Sequence, residues 1–334
     1  MPDKNLYQLA KRLYDVAPWE TWEETDVLKI IHPDSGETGY ISIMGMLGQH
    51  RAMALYLGDE AYSRFQAMQE DDPHDPIYPD EDSFILMMEC RQLQISFGTR
   101  NELNPAELKA ITAAGLSFRG NNWPIFRSYE AGYAPGELND AEAEWMRIAL
   151  EQFLAFHLIS EGEVPSLFRE GEGDYEMRTL MHQNGNWVAD WTPSYDVDFE
   201  WPTPTPSELL VEKVRQIPQL CDVECQYMIL PAQVGPREKP KFAYLALTAD
   251  PNSGMIIGME LLSMEHQTHE ELTASVPDVF LKQWIKAGIR PASIRVKTIT
   301  TYSMVEISAE ILNIPLERED TLPALDRALA TLPF

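Results

Sequence analysis

Two histidines beside acidic residues form the first candidate site in this sequence. His266 and His269 lie three residues apart, and Glu270 and Glu271 follow directly. Imidazole and carboxylate groups are ligands of Zn²⁺, and a pair at this spacing can lie on one face of a helix. We predict a metal site at these histidines with Asp250 as a further ligand, although the spacing itself identifies no third ligand. The alternative is an ordinary loop that leads into a helix.

An arginine among aromatic residues forms the second candidate site, within the segment 123–133. A guanidinium group makes paired hydrogen bonds to carboxylate or phosphate and stacks on aromatic rings. Trp123, Arg127, Tyr129 and Tyr133 are therefore predicted to bind an anionic ligand. The alternative is an interdomain loop in which Arg127 binds backbone carbonyls while the rings fill the core.

Several familiar catalytic motifs are absent. Neither the nucleophile motif Gly-x-Ser-x-Gly nor the dinucleotide-binding motif Gly-x-Gly-x-x-Gly occurs. Cys221 and Cys225 are separated by three residues, whereas redox and zinc-binding pairs have two. We interpret these cysteines as buried structural thiols and expect no cofactor.

The elements of the N-terminal half predict an α/β domain, assigned to residues 1–165. Leucines at helical spacing indicate a helix over 3–17, and three antiparallel strands follow within 27–57. Further strands are predicted at 84–89, 93–97 and 116–118. Asn104 and Asn139 each begin a helix, because a glutamate three residues later completes a capping box.

The C-terminal half, residues 166–334, begins with a β-hairpin that turns at Asn184-Gly185 and a proline-rich spacer at 201–206. A helix follows, and then strands and helices in the order β-β-β-α-β-α-β-α. Ser275 is predicted to cap the first helix of this series, which ends at Gly288. Right-handed crossovers make such an order a mixed sheet with helices on both faces.

This element order resembles the ribonuclease-H-like superfold, and residues 288–316 resemble the later part of integrase and transposase catalytic domains. The N-terminal half has a similar order, which suggests a diverged second copy. The resemblance implies a metal-binding Asp at the end of the strand 293–296, but Lys297 and Thr298 stand there. Two-metal phosphoryl transfer needs several converging carboxylates. The catalytic residues of that family therefore do not carry over.

A second resemblance covers most of the chain. The segment 123–133 has the pattern Trp-Pro-x-Phe-Arg-Ser-Tyr-x-x-Gly-Tyr. It resembles a signature of bacterial proteins that are described only as domains of unknown function, and the closing segment 322–328 fits the same group. This resemblance implies no activity.

Charge and composition exclude several classes of function. The net charge of −27 arises from 53 acidic and 26 basic residues, which disfavours binding to nucleic acid or to anionic membranes. No segment approaches the roughly 20 apolar residues of a membrane-spanning helix. The first residues begin a polar amphipathic segment, and three cysteines do not form a secreted disulfide framework. We predict a cytoplasmic protein.

The leading functional hypothesis is a non-catalytic binding or protein-interaction protein whose partner is a protein or a small molecule. The alternative is a metal-dependent hydrolase of the phosphoester class. That alternative requires Asp250, Glu306 and Glu310, or the two histidines, to converge in three dimensions.

Overall fold

A computed structural model describes residues 3–48, 50–69, 80–160, 163–171, 175–194, 200–236 and 239–331. In chain order the helices are α1 (Lys4–Val16), α2 (Asp59–Gln69), α3 (Asp80–Glu89), α4 (Pro105–Ala113), α5 (Asp140–Ile159), α6 (Glu208–Arg215), α7 (His269–Ala287), α8 (Ile299–Leu312) and α9 (Pro323–Leu329). The strands are β1 (Leu28–Ile31), β2 (Thr38–Met44), β3 (Ala52–Leu57), β4 (Gln92–Gly98), β5 (Trp123–Glu130), β6 (Tyr133–Gly136), β7 (Phe168–Glu170), β8 (Tyr175–Gln183), β9 (Asn186–Pro193), β10 (Leu220–Val234), β11 (Lys241–Ala249), β12 (Ile256–Ser263), β13 (Arg290–Val296) and β14 (Leu316–Arg318). Along these described ranges, no helix has the length and apolar character needed to cross a membrane.

The chain divides into two compact units, each built from several segments. Unit 1 comprises Met1–Gln69, Cys90–Glu130 and Pro135–Phe199. Unit 2 comprises Glu70–Glu89, Ala131–Ala134 and Glu200–Phe334. Both units combine sheet and helix, so the mixed α/β class predicted from the sequence is confirmed.

Unit 1 contains a largely antiparallel sheet in the order β5-β4-β3-β2-β1-β8-β7, with β9 paired to β8. The exception is the parallel pairing of β1 with β8, in which Lys29 lies opposite Thr179. The predicted hairpin β8–β9 is confirmed. Its turn residues Asn184 and Gly185 have φ angles of 51° and 83°, as a tight two-residue hairpin turn requires.

The core of unit 1 lies on both faces of β2 and β3, because alternate residues of a strand point to opposite sides. Ile41 and Leu55 pack in the larger cluster with α1 and α5, whereas Tyr40 and Tyr56 pack in a smaller cluster with α2. Burial on both faces explains why all six residues of β3 are buried.

Unit 2 contains a mixed sheet in the order β12-β11-β10-β13-β14. The pairings β10–β11 and β11–β12 are antiparallel, whereas β10–β13 and β13–β14 are parallel. Helices α7 and α8 cover one face, with Phe280, Trp284 and Met304 in its core. Helix α9 covers the other face through Leu325, together with Leu322, the residue that precedes the helix.

The strand pairings of the two units differ. In unit 1, β4 follows the first helix after the strands and joins β3 in antiparallel orientation. In unit 2, β13 occupies the corresponding place in the element order but joins β10 in parallel orientation. This difference argues against a diverged second copy in the N-terminal half.

Three predicted elements are wrong. Residues 84–89 are helical within α3, and 116–118 form no strand. A short apolar run fits a buried helix as well as a strand, which explains the first error. Helix α7 begins at His269 with Thr268 as its cap, and Pro277 lies inside it. The proline two residues after Ser275 resembled a helix start, because proline is favoured in the first turn.

Candidate functional site

Arg127 is bound within unit 1. Its Nη1 atom lies 2.6 Å from Oε1 of Glu107, whose side chain is 2% exposed. Nη1 also donates to the carbonyl of Phe126 at 2.6 Å, and Nη2 donates to the carbonyl of Glu102 at 3.1 Å. The two carbonyl contacts agree with one part of the alternative interpretation, but Arg127 lies in strand β5 and not in a loop.

The aromatic residues predicted beside Arg127 have separate environments. Trp123 packs against Phe118 with ring centroids 5.9 Å apart. The hydroxyl of Tyr129 donates to Gln94 at 3.2 Å, and burial raises its pKa. Tyr133 belongs to unit 2, where the amino group of Lys239 lies 3.8 Å from the centre of its ring. A ligand site made of Trp123, Arg127, Tyr129 and Tyr133 stays a prediction.

The three predicted metal ligands lie in different places within unit 2. His269 is the first residue of α7, and His266 is exposed in the loop before it. Asp250 follows β11 at the turn into β12, the opposite end of that hairpin from His266. Its carboxylate accepts hydrogen bonds from Ser253 and Asn252, which lower its pKa. Within the described ranges, no group of three or more His, Cys, Asp or Glu residues could hold a metal ion.

His269 is instead part of a hydrogen-bonded cluster that the sequence did not reveal. Its Nε2 atom lies 2.9 Å from Oε1 of Glu89, the last residue of α3. The same oxygen accepts a hydrogen bond from the hydroxyl of Tyr244 at 3.2 Å. Tyr227 stacks on Tyr244 at 5.5 Å, and its buried hydroxyl has no hydrogen-bond partner in the described structure. Burial, and then the charge of Glu89, raises the pKa of both tyrosines.

An open surface pocket of about 410 Å³ lies in unit 2 between α8 and β14, and its lining residues Glu310, Asn313 and Pro315 are exposed. Glu306 and Glu310, two acids of the hydrolase hypothesis, line it one helical turn apart, together with Tyr302 and Asn313. Apolar side chains such as Ile314 and Leu316 complete its wall. Asp250 is not among the lining residues.

Two further carboxylates are buried in unit 2 and bind backbone amides. Asp82 is fully buried and accepts hydrogen bonds from the N–H groups of Ile299 and Thr300 at 2.7 and 2.9 Å. Helix α8 has no acidic residue in its own first turn, so Asp82 supplies the negative charge that a helix N-terminus favours. No sequence signal connects Asp82 with a helix more than 200 residues later along the chain.

Glu224 in β10 is 1% exposed and has the same kind of role. Its Oε2 atom accepts hydrogen bonds from the N–H groups of Ala324 and Leu325, at 2.9 and 3.0 Å, at the start of α9. Its Oε1 atom lies 3.4 Å from Nη2 of Arg295 on the neighbouring parallel strand β13. An acidic residue inside the apolar run 223–230 is the signal that could have identified it.

Comparison with known proteins gives two matches to protein families and no activity. No curated protein sequence matches the chain. Residues 210–333 are similar to a domain of unknown function, DUF6930. Residues 4–174, just over half of the chain, match another domain of unknown function, DUF7309. The chain therefore belongs to the DUF7309 family.

Proposed function

We propose that this protein is a non-catalytic binding or protein-interaction protein, and that unit 2 is a ribonuclease-H-like scaffold without nuclease chemistry. The scaffold is supported by the strand order β12-β11-β10-β13-β14 and by the parallel pairing of β10, β13 and β14. Helices on both faces of the sheet also agree with the predicted element order.

The observation that carries the proposal is the environment of Glu224. Neighbouring parallel strands such as β10 and β13 are where a metal-dependent nuclease of this class would bring carboxylates together. Here the residue opposite Glu224 is Arg295, a cation. The other oxygen of the carboxylate accepts hydrogen bonds from the N–H groups of Ala324 and Leu325. A carboxylate held in this way has little capacity left for a metal ion.

The residues at the end of β13 also have structural contacts in place of a metal-binding carboxylate. Lys297 follows the strand, and the next residue, Thr298, caps α8 by accepting a hydrogen bond from the N–H group of Thr301 at 3.1 Å. Asp82 binds the same helix terminus. These residues hold a helix in position, which is a structural role.

Location and partners are also part of the proposal. Cys90, Cys221 and Cys225 are free thiols, which supports a reducing compartment such as the cytoplasm. The charge of −27 supports a protein or small-molecule partner in preference to nucleic acid. For a small molecule, the pocket beside Glu306 and Glu310 offers two carboxylates above an apolar wall.

A metal and hydrolysis test separates this proposal from the hydrolase alternative. Melting temperature is measured against Mg²⁺, Mn²⁺ and Zn²⁺, and hydrolysis is measured with bis(p-nitrophenyl) phosphate. We expect no saturable rise in melting temperature, because a real metal site would stabilise the fold by mass action. The proposal fails if one of these metals raises the melting temperature and supports hydrolysis, and Glu306→Gln or Glu310→Gln then abolishes both the rise and the hydrolysis. Glu317→Gln, at an exposed position on β14, is the matched control.

A further inference from the structure

Lys29 lies on a central strand of the unit 1 sheet. Its strand β1 pairs with β2 on one side, where Lys29 is opposite Tyr40, and with β8 on the other side, where it is opposite Thr179. Residues opposite each other on neighbouring strands point to the same face of a sheet. The three side chains therefore lie side by side, on the face that carries the smaller core cluster of unit 1.

The amino group of Lys29 has few polar contacts. Its Nζ atom lies 3.3 Å from the carbonyl oxygen of Pro193 and 5.8 Å from the centre of the Tyr40 ring. Among the described residues it forms no ion pair, although the chain has 53 acidic residues. By contrast, Nζ of Lys11 lies 2.7 Å from both carboxylate oxygens of Asp15.

This environment favours the neutral form of the Lys29 amine. The side chain is partly buried, and an ammonium group that leaves water without a paired charge loses free energy of solvation. Burial therefore lowers the pKa of Lys29, and the charge of Asp59 opposes that shift. Asp59 is on α2, where its carboxylate accepts a hydrogen bond from the hydroxyl of Tyr40 at 2.6 Å. A neutral lysine amine is a nucleophile toward carbonyl compounds.

We propose that Lys29 is a covalent binding site for a small aldehyde, which it holds as an imine. The amine nitrogen adds to the carbonyl carbon, and the carbon–oxygen bond then breaks as a carbon–nitrogen double bond forms. The oxygen leaves as water with the two amine hydrogens, so no oxidant or reductant is needed. Partial burial of Lys29 restricts the ligand to a small molecule. The site lies in unit 1 and is independent of the metal test on unit 2.

Reductive trapping tests the site in the whole chain. Propanal and sodium cyanoborohydride are added at about pH 7, and peptide mass spectrometry follows the modification of each lysine. We expect Lys29 to be modified at least about threefold faster than Lys11, because a larger fraction of its amine is neutral. In urea the two rates should become equal, because unfolding exposes both amines to water.

A substitution on α2 tests the charge next to the amine. Asp59→Asn removes the charge that raises the pKa of Lys29 and keeps an acceptor for the Tyr40 hydroxyl. Modification of Lys29 should become at least about twofold faster, whereas that of Lys11 should not change. Glu60→Gln is the matched control, because the side chain of Glu60 is 81% exposed and pairs with Arg64. The melting temperature of each variant verifies that it is folded.

Three results would overturn the inference. The first is a rate at Lys29 no higher than that at Lys11 in the folded protein. The second is the same ratio of rates in urea, which would show that the fold does not create the reactivity. The third is a rate that rises linearly with propanal concentration, as simple collision requires. A faster rate at Lys29 that saturates with propanal, and that Asp59→Asn increases, supports the inference.

Discussion

At the scale of single residues, the buried carboxylates act as acceptors for groups that would otherwise lack partners. Asp82 and Glu224 each bind two backbone N–H groups at the start of a helix. Glu107 binds the N–H group of its own helix cap, Asn104, and the guanidinium of Arg127. A buried N–H group without an acceptor costs about 1–3 kcal/mol, so these acids stabilise the fold.

His157 gives unit 1 a dependence on pH. It is 4% exposed, and its Nδ1 atom accepts a hydrogen bond from Nε1 of Trp22 at 3.0 Å. Burial lowers the pKa of His157 below its ordinary value of 6.5. As pH falls below 6.5, the unfolded chain takes up a proton that the folded chain does not bind, so the free energy of unfolding falls.

We predict that His157→Gln removes this contribution. The free energy of unfolding should lose a pH dependence of at most about 1.4 kcal/mol per pH unit. Glutamine keeps a hydrogen-bond acceptor for Trp22. Urea unfolding between about pH 7.5 and pH 5 measures the slope. His182→Gln, at an exposed histidine of the same unit, should leave it unchanged. An unaltered slope in His157→Gln would show that folding does not lower the pKa of His157.

At the scale of helices and strands, local signals predicted much of the structure. The predicted capping boxes at Asn104 and Asn139 are present. They could be predicted because the two partners of each box are only three residues apart in the sequence. Gly288 ends α7 in the left-handed conformation, with a φ angle of 68°. The predicted start of α7 is wrong because the sequence contains two signals for a helix start. Pro277 favours a start at Ser275, whereas the capping box at Thr268 gives the observed start.

The two competing starts of α7 make different predictions. The hydroxyl of Thr268 accepts a hydrogen bond from the N–H group of Glu271 at 3.1 Å, so Thr268→Ala should cost about 1 kcal/mol of stability. Ser275 lies inside the helix and donates to the carbonyl of Leu272, so Ser275→Ala should cost much less. Urea unfolding of the two variants measures the difference. The reverse order of costs would place the helix start at Ser275.

The clusters that could carry function were beyond sequence reasoning for a physical reason. Glu89 and His269 are 180 residues apart, and their contact depends on how α3 packs within unit 2. Single-sequence patterns report local periodicity and caps, and they carry no information on such pairings. Conversely, Lys297 could be identified from the sequence, because its place at a strand end follows from element order alone.

At the scale of the whole molecule, the excess of acidic over basic residues lowers the stability of the folded state. A net charge of −27 is concentrated when the chain folds and spread out when it unfolds, so repulsion destabilises the folded state. Local ion pairs act in the opposite direction. The pair of Arg127 and Glu107 is largely buried, so salt screens it much less than it screens the repulsion between exposed charges.

Salt should therefore stabilise this protein. We predict that the melting temperature rises as NaCl increases, and that most of the rise occurs below about 0.15 M, where the screening length shortens most strongly toward about 8 Å. Differential scanning fluorimetry at constant pH and low protein concentration measures the effect. A melting temperature that falls with salt would mean that attractive surface pairs outweigh the net repulsion of −27 charges.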